Sequence, residues 1–104
     1  MLYFLDFKVT YSADMSQNDL FTIWAEEAGA ALGAKEAGAI VDLWKCAGER
    51  RVIAILDIDG PDTLDQILMD LPIMRKMGQH VDVKVTALRR YEDFAADVKE
   101  RLNR

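Results

Sequence analysis

The spacing of hydrophobic and polar residues divides the chain into four strands and three helices. Residues 2–11 and the segment VDVKVTAL at 81–88 alternate apolar with polar side chains, a pattern typical of strands. AIVDLWKC and RVIAILDI predict two more strands, joined by the turn AGER. Three helices are predicted, from about Gln17 to about Glu36, from Pro61 to a stop at Pro72, and from Tyr91 onward. The intervening segment IMRKMGQH is predicted to be a loop.

The order of these elements predicts an α+β fold of the ferredoxin-like βαββαβ type, followed by a C-terminal helix. In that topology the sheet has four antiparallel strands, the first and last strands are neighbours, and both internal helices cover one face. We therefore predict a domain over residues 1–90 and a helical extension over residues 91–104.

The other face of the sheet carries a repeated polar pattern. DFKVT at 6–10 and DVKVT at 82–86 place Asp, Lys and Thr on this face, so antiparallel pairing would alternate their charges. One interpretation is a face washed by solvent. The second and third predicted strands, however, are apolar on both sides. This favours burial of this face against a second copy of the sheet, as in a dimeric α+β barrel.

Composition narrows the possible partners. The chain has 104 residues, a formal net charge of −5 and one cysteine, Cys46, so it cannot form an internal disulfide. An acidic domain does not attract phosphate backbones, which argues against nucleic acid and anionic membranes as partners. The longest aliphatic run, VIAIL, is too short to span a membrane. We expect a cytoplasmic protein.

Glu27 is the residue that departs most clearly from its local pattern. At about 100° per residue it lies only about 20° from Leu20, within the apolar stripe that also contains Trp24, whereas Glu26 faces solvent. Burial raises the pKa of a carboxylate towards neutrality, as a general acid or base requires. The competing interpretation is a glutamate that reaches solvent or pairs with a cation.

Other candidates carry weaker signals. His80 is the only histidine, and Arg75 follows the second predicted helix, where it either complements the helix dipole or holds a substrate carboxylate. The sequence contains no phosphate-binding loop, dinucleotide fingerprint, nucleophile elbow or cluster of metal ligands. We therefore expect neither a metal nor a cofactor.

Six segments in order resemble the muconolactone Δ-isomerase family over about residues 1–90: MLYFLDFKV, AEE, LWKCAGE, ILDIDGPDTLDQIL, DLPI and VDVKVTALRR. The resemblance implies ferredoxin-like subunits in barrel dimers that assemble into decamers. It also implies a cofactor-independent isomerase that moves a double bond in a small unsaturated lactone acid during aromatic catabolism.

By this resemblance the AEE segment supplies the acidic catalytic residue, and the helical phase selects Glu27. Trp44 lies in the LW motif and would form a wall of the pocket. Lys8 and Lys84 would pair with the substrate carboxylate or stabilise the enolate. Asp42 occupies a position that is usually basic in the family, and strand one carries Asp6 and then Lys8, the reverse of the family order. These differences leave the substrate open.

Two other functions remain open from the sequence. The same barrel could house a cofactor-free oxygenase or cyclase that acts on a larger aromatic ligand. The chain could also be a non-catalytic ligand-binding or assembly subunit, whose ligand affinity would survive replacement of Glu27 by glutamine.

Overall fold

The structure, a computed structural model, describes residues 1–104 and consists of one sheet with three of its four helices packed on one side. The strands are β1 (Leu2–Val9), β2 (Ile40–Lys45), β3 (Arg51–Asp57) and β4 (Val81–Leu88). The helices are α1 (Gln17–Glu36), α2 (Pro61–Asp70), α3 (Pro72–Met77) and α4 (Tyr91–Leu102), with a 3-10 turn at Gly78–His80. The strand order β2-β3-β1-β4, with every pair antiparallel, confirms the predicted ferredoxin-like α+β fold.

Helix α1 begins and ends where its sequence predicts. The Ser16 hydroxyl accepts a hydrogen bond from the Asp19 N–H, and the Asp19 carboxylate accepts one from the Ser16 N–H, both at 3.0 Å. This reciprocal capping box satisfies backbone donors that the first helical turn leaves without partners. After the helix, Gly38 adopts a positive φ of 92°, a conformation that favours glycine.

Residues 72–80 are helical, so the prediction of a loop was wrong. Helix α2 ends at Asp70, just before Pro72, as predicted. Pro72 also stands in the first turn of α3, where the absence of an N–H costs no helical hydrogen bond. Ile73 and Met77 are one helical turn apart and both are buried. Their burial against the core stabilises a segment whose other residues are largely polar or exposed.

The pairing of β1 with β4 sets opposite charges beside each other, as the sequence predicts. Asp6 is opposite Lys84, and Lys8 is opposite Asp82. The hydrogen-bonding partner of the Asp6 carboxylate is nevertheless Arg51 on β3, whose guanidinium donates to both carboxylate oxygens at 2.6 and 2.9 Å. These side chains belong to the sheet face that carries no helices.

A β-bulge changes the faces of β2. Ile40 pairs with Leu56 and Asp42 pairs with Ile55, so the register shifts at Val41. As a result Ile40 and Leu43 both lie on the helix-covered face, whereas strict alternation from the sequence had placed them on opposite faces.

Two buried clusters hold the helices on the sheet. The first joins α2 to β1 and β3, and its members are Tyr3, Leu5, Ala54, Leu56 and Leu64. The second joins α1 and α3 to β1 and β4, and its members are Val9, Leu20, Ile73, Met77 and Val81. Only 11 of 104 residues are buried, because one sheet face and all of α4 are uncovered. None of the helices combines the length and the apolar composition that a membrane span requires.

Helix α4 belongs to neither buried cluster, and the molecule measures 61 Å along its longest axis. The apolar side chains of α4 follow the predicted spacing of three and four residues and form one stripe. All of them are exposed, by 43 to 82%: Tyr91, Phe94, Val98 and Leu102. Helix α4 is amphipathic as predicted, but its apolar stripe covers no part of this chain's core.

Candidate active site

A cavity of about 610 Å³ lies between the helix-covered face of the sheet and helices α1 and α2. Members of both buried clusters line it, including Leu5 and Ala54 from one and Val9 and Ile73 from the other. Of its 24 lining residues 21 are hydrophobic, and the other three are charged: Glu27, Lys45 and Arg50. A largely apolar pocket with a few polar groups is the usual form of a small-molecule site.

The cavity exists because α1 turns small side chains towards the sheet. Ala28, Ala31 and Ala34 recur at helical spacing and line the cavity, and Ala30 and Ala37 also contribute to the wall. Methyl groups leave space that leucine or phenylalanine would fill at the same positions. The first half of α1 is anchored by the buried Leu20, whereas the region beneath its second half stays open.

Glu27 is half-buried and contributes the only carboxylate of the cavity. Its Oε2 accepts a hydrogen bond from the Ile73 N–H at 3.1 Å, in the first turn of α3. Burial raises the pKa of Glu27 above its ordinary value, and the hydrogen bond from Ile73 opposes that rise without cancelling it. No lysine or arginine forms a salt bridge with Glu27, so the interpretation of a cation-paired glutamate does not fit.

The neighbouring Glu26 has the opposite environment. It is exposed and pairs with Lys76 of α3 at 2.6 Å. The structure thus separates the two glutamates as the helical phase predicted: Glu27 lines the cavity and Glu26 faces solvent.

The cavity is also lined by two cations that were not among the predicted site residues, Lys45 and Arg50. Lys45 ends β2 opposite Val52, on the helix-covered face. The Arg50 guanidinium lies 4.8 Å from the centre of the Tyr11 ring, and Nη2 donates to the Tyr11 hydroxyl at 3.4 Å. Neither cation forms a salt bridge within the chain. The alternation of β2 could have indicated Lys45, but Arg50 is the last residue of the turn AGER, where periodicity carries no information.

Lys8 and Lys84 are not brought to this cavity. Their neighbours Phe7 and Val83 point towards the helices, so both lysines lie on the opposite face of the sheet, beside Asp6. There the hydrogen bonds from Arg51 lower the pKa of Asp6, with smaller contributions from the charges of Lys8 and Lys84. The sheet itself separates these lysines from Glu27.

Of the remaining predicted site residues, the two tryptophans line the cavity and the others do not. Trp24 lines the cavity and stacks on Phe21 with a centroid separation of 5.9 Å. Trp44 also borders the cavity, although its pairing with Ile53 places it on the uncovered face, where it is half exposed.

Asp42, Arg75 and His80 do not line the cavity. Asp42 forms a 3.0 Å salt bridge with Lys35, and this hydrogen bond lowers its pKa. Arg75 is exposed on α3, and the His80 backbone carbonyl accepts a hydrogen bond from the Thr10 N–H at 2.8 Å. No group of three or more His, Cys, Asp or Glu side chains is placed to hold a metal ion.

The fold and the cavity together define a class: a ferredoxin-like α+β protein with one half-buried carboxylate in an apolar ligand site. A family sequence profile described as muconolactone delta-isomerase matches residues 1–93. The chain is 26% identical over 97 residues to muconolactone delta-isomerase 2 of Acinetobacter lwoffii, covering 93% of this chain and 97% of that protein. A crystal structure of muconolactone isomerase superposes with a TM-score of 0.73 at 26% identity, covering 86% of this chain and 90% of the other.

The chain belongs to the muconolactone delta-isomerase family, because the family profile matches most of its length. This confirms the resemblance found in the sequence and the expected enzyme class, an isomerase. The comparisons do not favour the oxygenase, cyclase or binding-subunit interpretations.

Proposed function

We propose that the protein shifts a carbon–carbon double bond in an unsaturated lactone acid by proton transfer through Glu27. The observation that carries this proposal is the position of Glu27: a carboxylate with a raised pKa, without a cation partner, in an apolar cavity. Membership of the muconolactone delta-isomerase family supports both the reaction and the substrate class.

The proposed reaction needs one base that acts twice. The Glu27 carboxylate removes a proton from the carbon alpha or gamma to the lactone carbonyl, and the electron pair delocalises into a dienolate. Glu27 then returns the proton to the carbon two positions away, so the double bond has moved and the carboxylate is regenerated. A base whose pKa lies closer to neutrality can accept and return the proton with a smaller energy difference between the two steps.

Negative charge develops on the lactone oxygen during this reaction and is also present on the substrate carboxylate. Lys45 and Arg50 are the cations of the cavity, and neither is neutralised by a salt bridge. We propose that they fulfil the role predicted for Lys8 and Lys84, because cations that reach the same cavity as the base can stabilise the developing charge.

The first experiment follows hydrogen exchange by NMR. Muconolactone is incubated in D₂O with the wild-type protein and with the Glu27→Gln variant. We expect the wild type to exchange and isomerise the lactone, and the variant to lose roughly 10²- to 10⁴-fold in rate, the usual contribution of a positioned base.

Glu26→Gln is the matched control, because Glu26 has the same side chain on the same helix but pairs with Lys76 outside the cavity. It should retain the wild-type rate. Equal losses in both variants would contradict the assignment of Glu27, and no exchange with folded wild-type protein would contradict the proposed reaction.

We further propose that the protein is a homo-oligomer built on a dimer in which the uncovered sheet faces pack together. Phe4, Ile53, Ile55 and Trp44 supply apolar surface on that face. Lys8 and Lys84 would then lie in the interface with Asp6 and Arg51, where complementary charges can fix the register between subunits. In this proposal residues 91–104, with α4, are an extension beyond the domain.

A further inference from the structure

We propose that the natural substrate is a lactone acid with an additional apolar substituent, which occupies the alanine-lined end of the cavity while Arg50 holds the carboxylate. This inference rests on the proposed isomerase function and specifies its substrate. It assigns Arg50 and the apolar end of the cavity as determinants of specificity.

The size of the cavity is the first argument. Muconolactone has only about ten non-hydrogen atoms, whereas pockets of roughly 300–1,000 Å³ normally enclose drug-sized ligands. The cavity here has a volume of about 610 Å³. An unsubstituted lactone acid would leave much of the apolar wall without contacts, whereas a larger apolar ligand would gain dispersion energy and release water from that wall.

The distribution of charge along the cavity is the second argument. Lys45 and Arg50 flank the β2–β3 turn, and the Arg50 carbonyl accepts a hydrogen bond from the Val9 N–H at 2.9 Å. The opposite end of the sheet meets the C-terminal end of α1, where the Ala39 carbonyl accepts a hydrogen bond from the Asp57 N–H at 3.0 Å. The cavity therefore has a cationic end and an uncharged end.

The uncharged end is formed by small and aliphatic side chains from α1 and the adjoining strands, such as Ala34, Ala37, Ile40 and Leu56. Glu27 lies near the midpoint of α1, between the two ends. A substrate with its carboxylate at Arg50 and its reacting carbons beside Glu27 would direct a ring substituent into the alanine-lined end.

The test compares muconolactone with derivatives that carry ring alkyl chains of increasing length. We expect wild-type kcat/KM to rise by about fourfold per buried methylene, the factor that corresponds to the transfer free energy of one such group. Ala34→Leu fills the uncharged end and should flatten this dependence. Ala25→Leu, the same change on an exposed part of α1 outside the cavity, should preserve it. Ala37→Leu serves as a second filling variant if Ala34→Leu fails to fold.

Binding of saturated, unreactive lactone acids measured by calorimetry separates this inference from the proposed reaction. Affinity should rise with chain length, and Arg50→Gln should weaken binding of the acid by about tenfold or more while leaving its methyl ester nearly unchanged. Arg75→Gln, on an exposed arginine outside the cavity, is the control.

The outcomes are distinguishable. If muconolactone is turned over but kcat/KM of its alkyl derivatives falls as the alkyl chain grows, the inference is overturned and the isomerase function stays intact. Affinity that rises with chain length, without any proton exchange, would overturn the proposed reaction and support the ligand class. An Arg50→Gln variant that binds acid and ester as the wild type does would overturn the role of Arg50.

Discussion

Two adjacent glutamates on α1 illustrate how environment separates chemically identical side chains. Glu26 forms a surface ion pair with Lys76, and such pairs contribute little to stability in water. Glu27, one position further, faces an apolar cavity and a single backbone donor. The carboxylate that loses hydration without gaining a cation is the one whose pKa rises.

This environment predicts the pH dependence of catalysis. Because the base must be deprotonated, kcat/KM should fall at acidic pH, and the midpoint should lie above 4.5, the ordinary pKa of a glutamate. A pH–rate profile of lactone isomerisation measures it. A midpoint at or below the ordinary value would contradict the assignment of Glu27 as the base.

The same shift affects the free energy of unfolding, which provides an independent check. Folded protein holds the Glu27 proton more tightly than the unfolded chain, so this contribution to stability is present at low pH and is lost as pH rises through the folded pKa. Denaturant titrations measure the free energy of unfolding at each pH. The values for the wild type and for Glu27→Gln should therefore differ in pH dependence only between the unfolded and the folded pKa of Glu27.

At the level of elements, local signals determined how much could be predicted from the sequence. The limits of α1 were predictable because Ser16, Asp19 and Gly38 act within a few residues of the helix ends. The α3 segment was not, because Pro72 follows the end of one helix and begins the next, and the burial of Ile73 that favours the second helix is a tertiary contact. The helical phase of α1 indicated Glu27. Its hydrogen-bond donor Ile73 could not be identified, because the segment that contains it was predicted to be a loop.

The bulge in β2 and the position of Arg50 show a second limit. A bulge depends on pairing with β3 and leaves no trace in the alternation of one strand. Arg50 reaches the cavity because the β2–β3 turn and Tyr11 lie together in space, a contact between residues 39 positions apart. Patterns along the chain do not encode such contacts.

The capping box of α1 gives a prediction at this scale. Ser16→Ala removes the acceptor for the Asp19 N–H and should lower the free energy of unfolding by about 1 kcal/mol, within a usual range of roughly 0.5–2 kcal/mol. Chemical denaturation measures the change. Ser12→Ala, in the loop before the helix, is the control, and an equal loss there would argue against a capping effect.

For the whole molecule, the main feature is apolar surface without a partner in the chain. The uncovered sheet face and the stripe on α4 together account for the small number of buried residues. The two surfaces differ in position: the sheet face belongs to the domain matched by the family profile, whereas most of α4 lies beyond residue 93.

The proposed assembly can be tested on these two surfaces separately. Ile53→Lys places a charge in the proposed sheet interface and should shift the protein to smaller species in sedimentation velocity experiments. Removal of residues 91–104 should leave the dimer intact and change only higher association. Thr86→Lys, a polar change on an outer strand of the same face, is a milder comparison. Unchanged sedimentation of Ile53→Lys would contradict packing through the sheet.

The hydrogen bond from the Ile73 N–H to Glu27 Oε2 connects α1 to α3 at the wall of the cavity. An ionised carboxylate accepts such a bond more strongly than a neutral carboxyl group does. In the proposed reaction Glu27 is neutral only while it holds the proton taken from the substrate. This hydrogen bond is therefore weakest while the dienolate is present, and it strengthens again when the proton is returned to the substrate. Proton transfer at Glu27 is therefore coupled to the contact that joins α1 to α3.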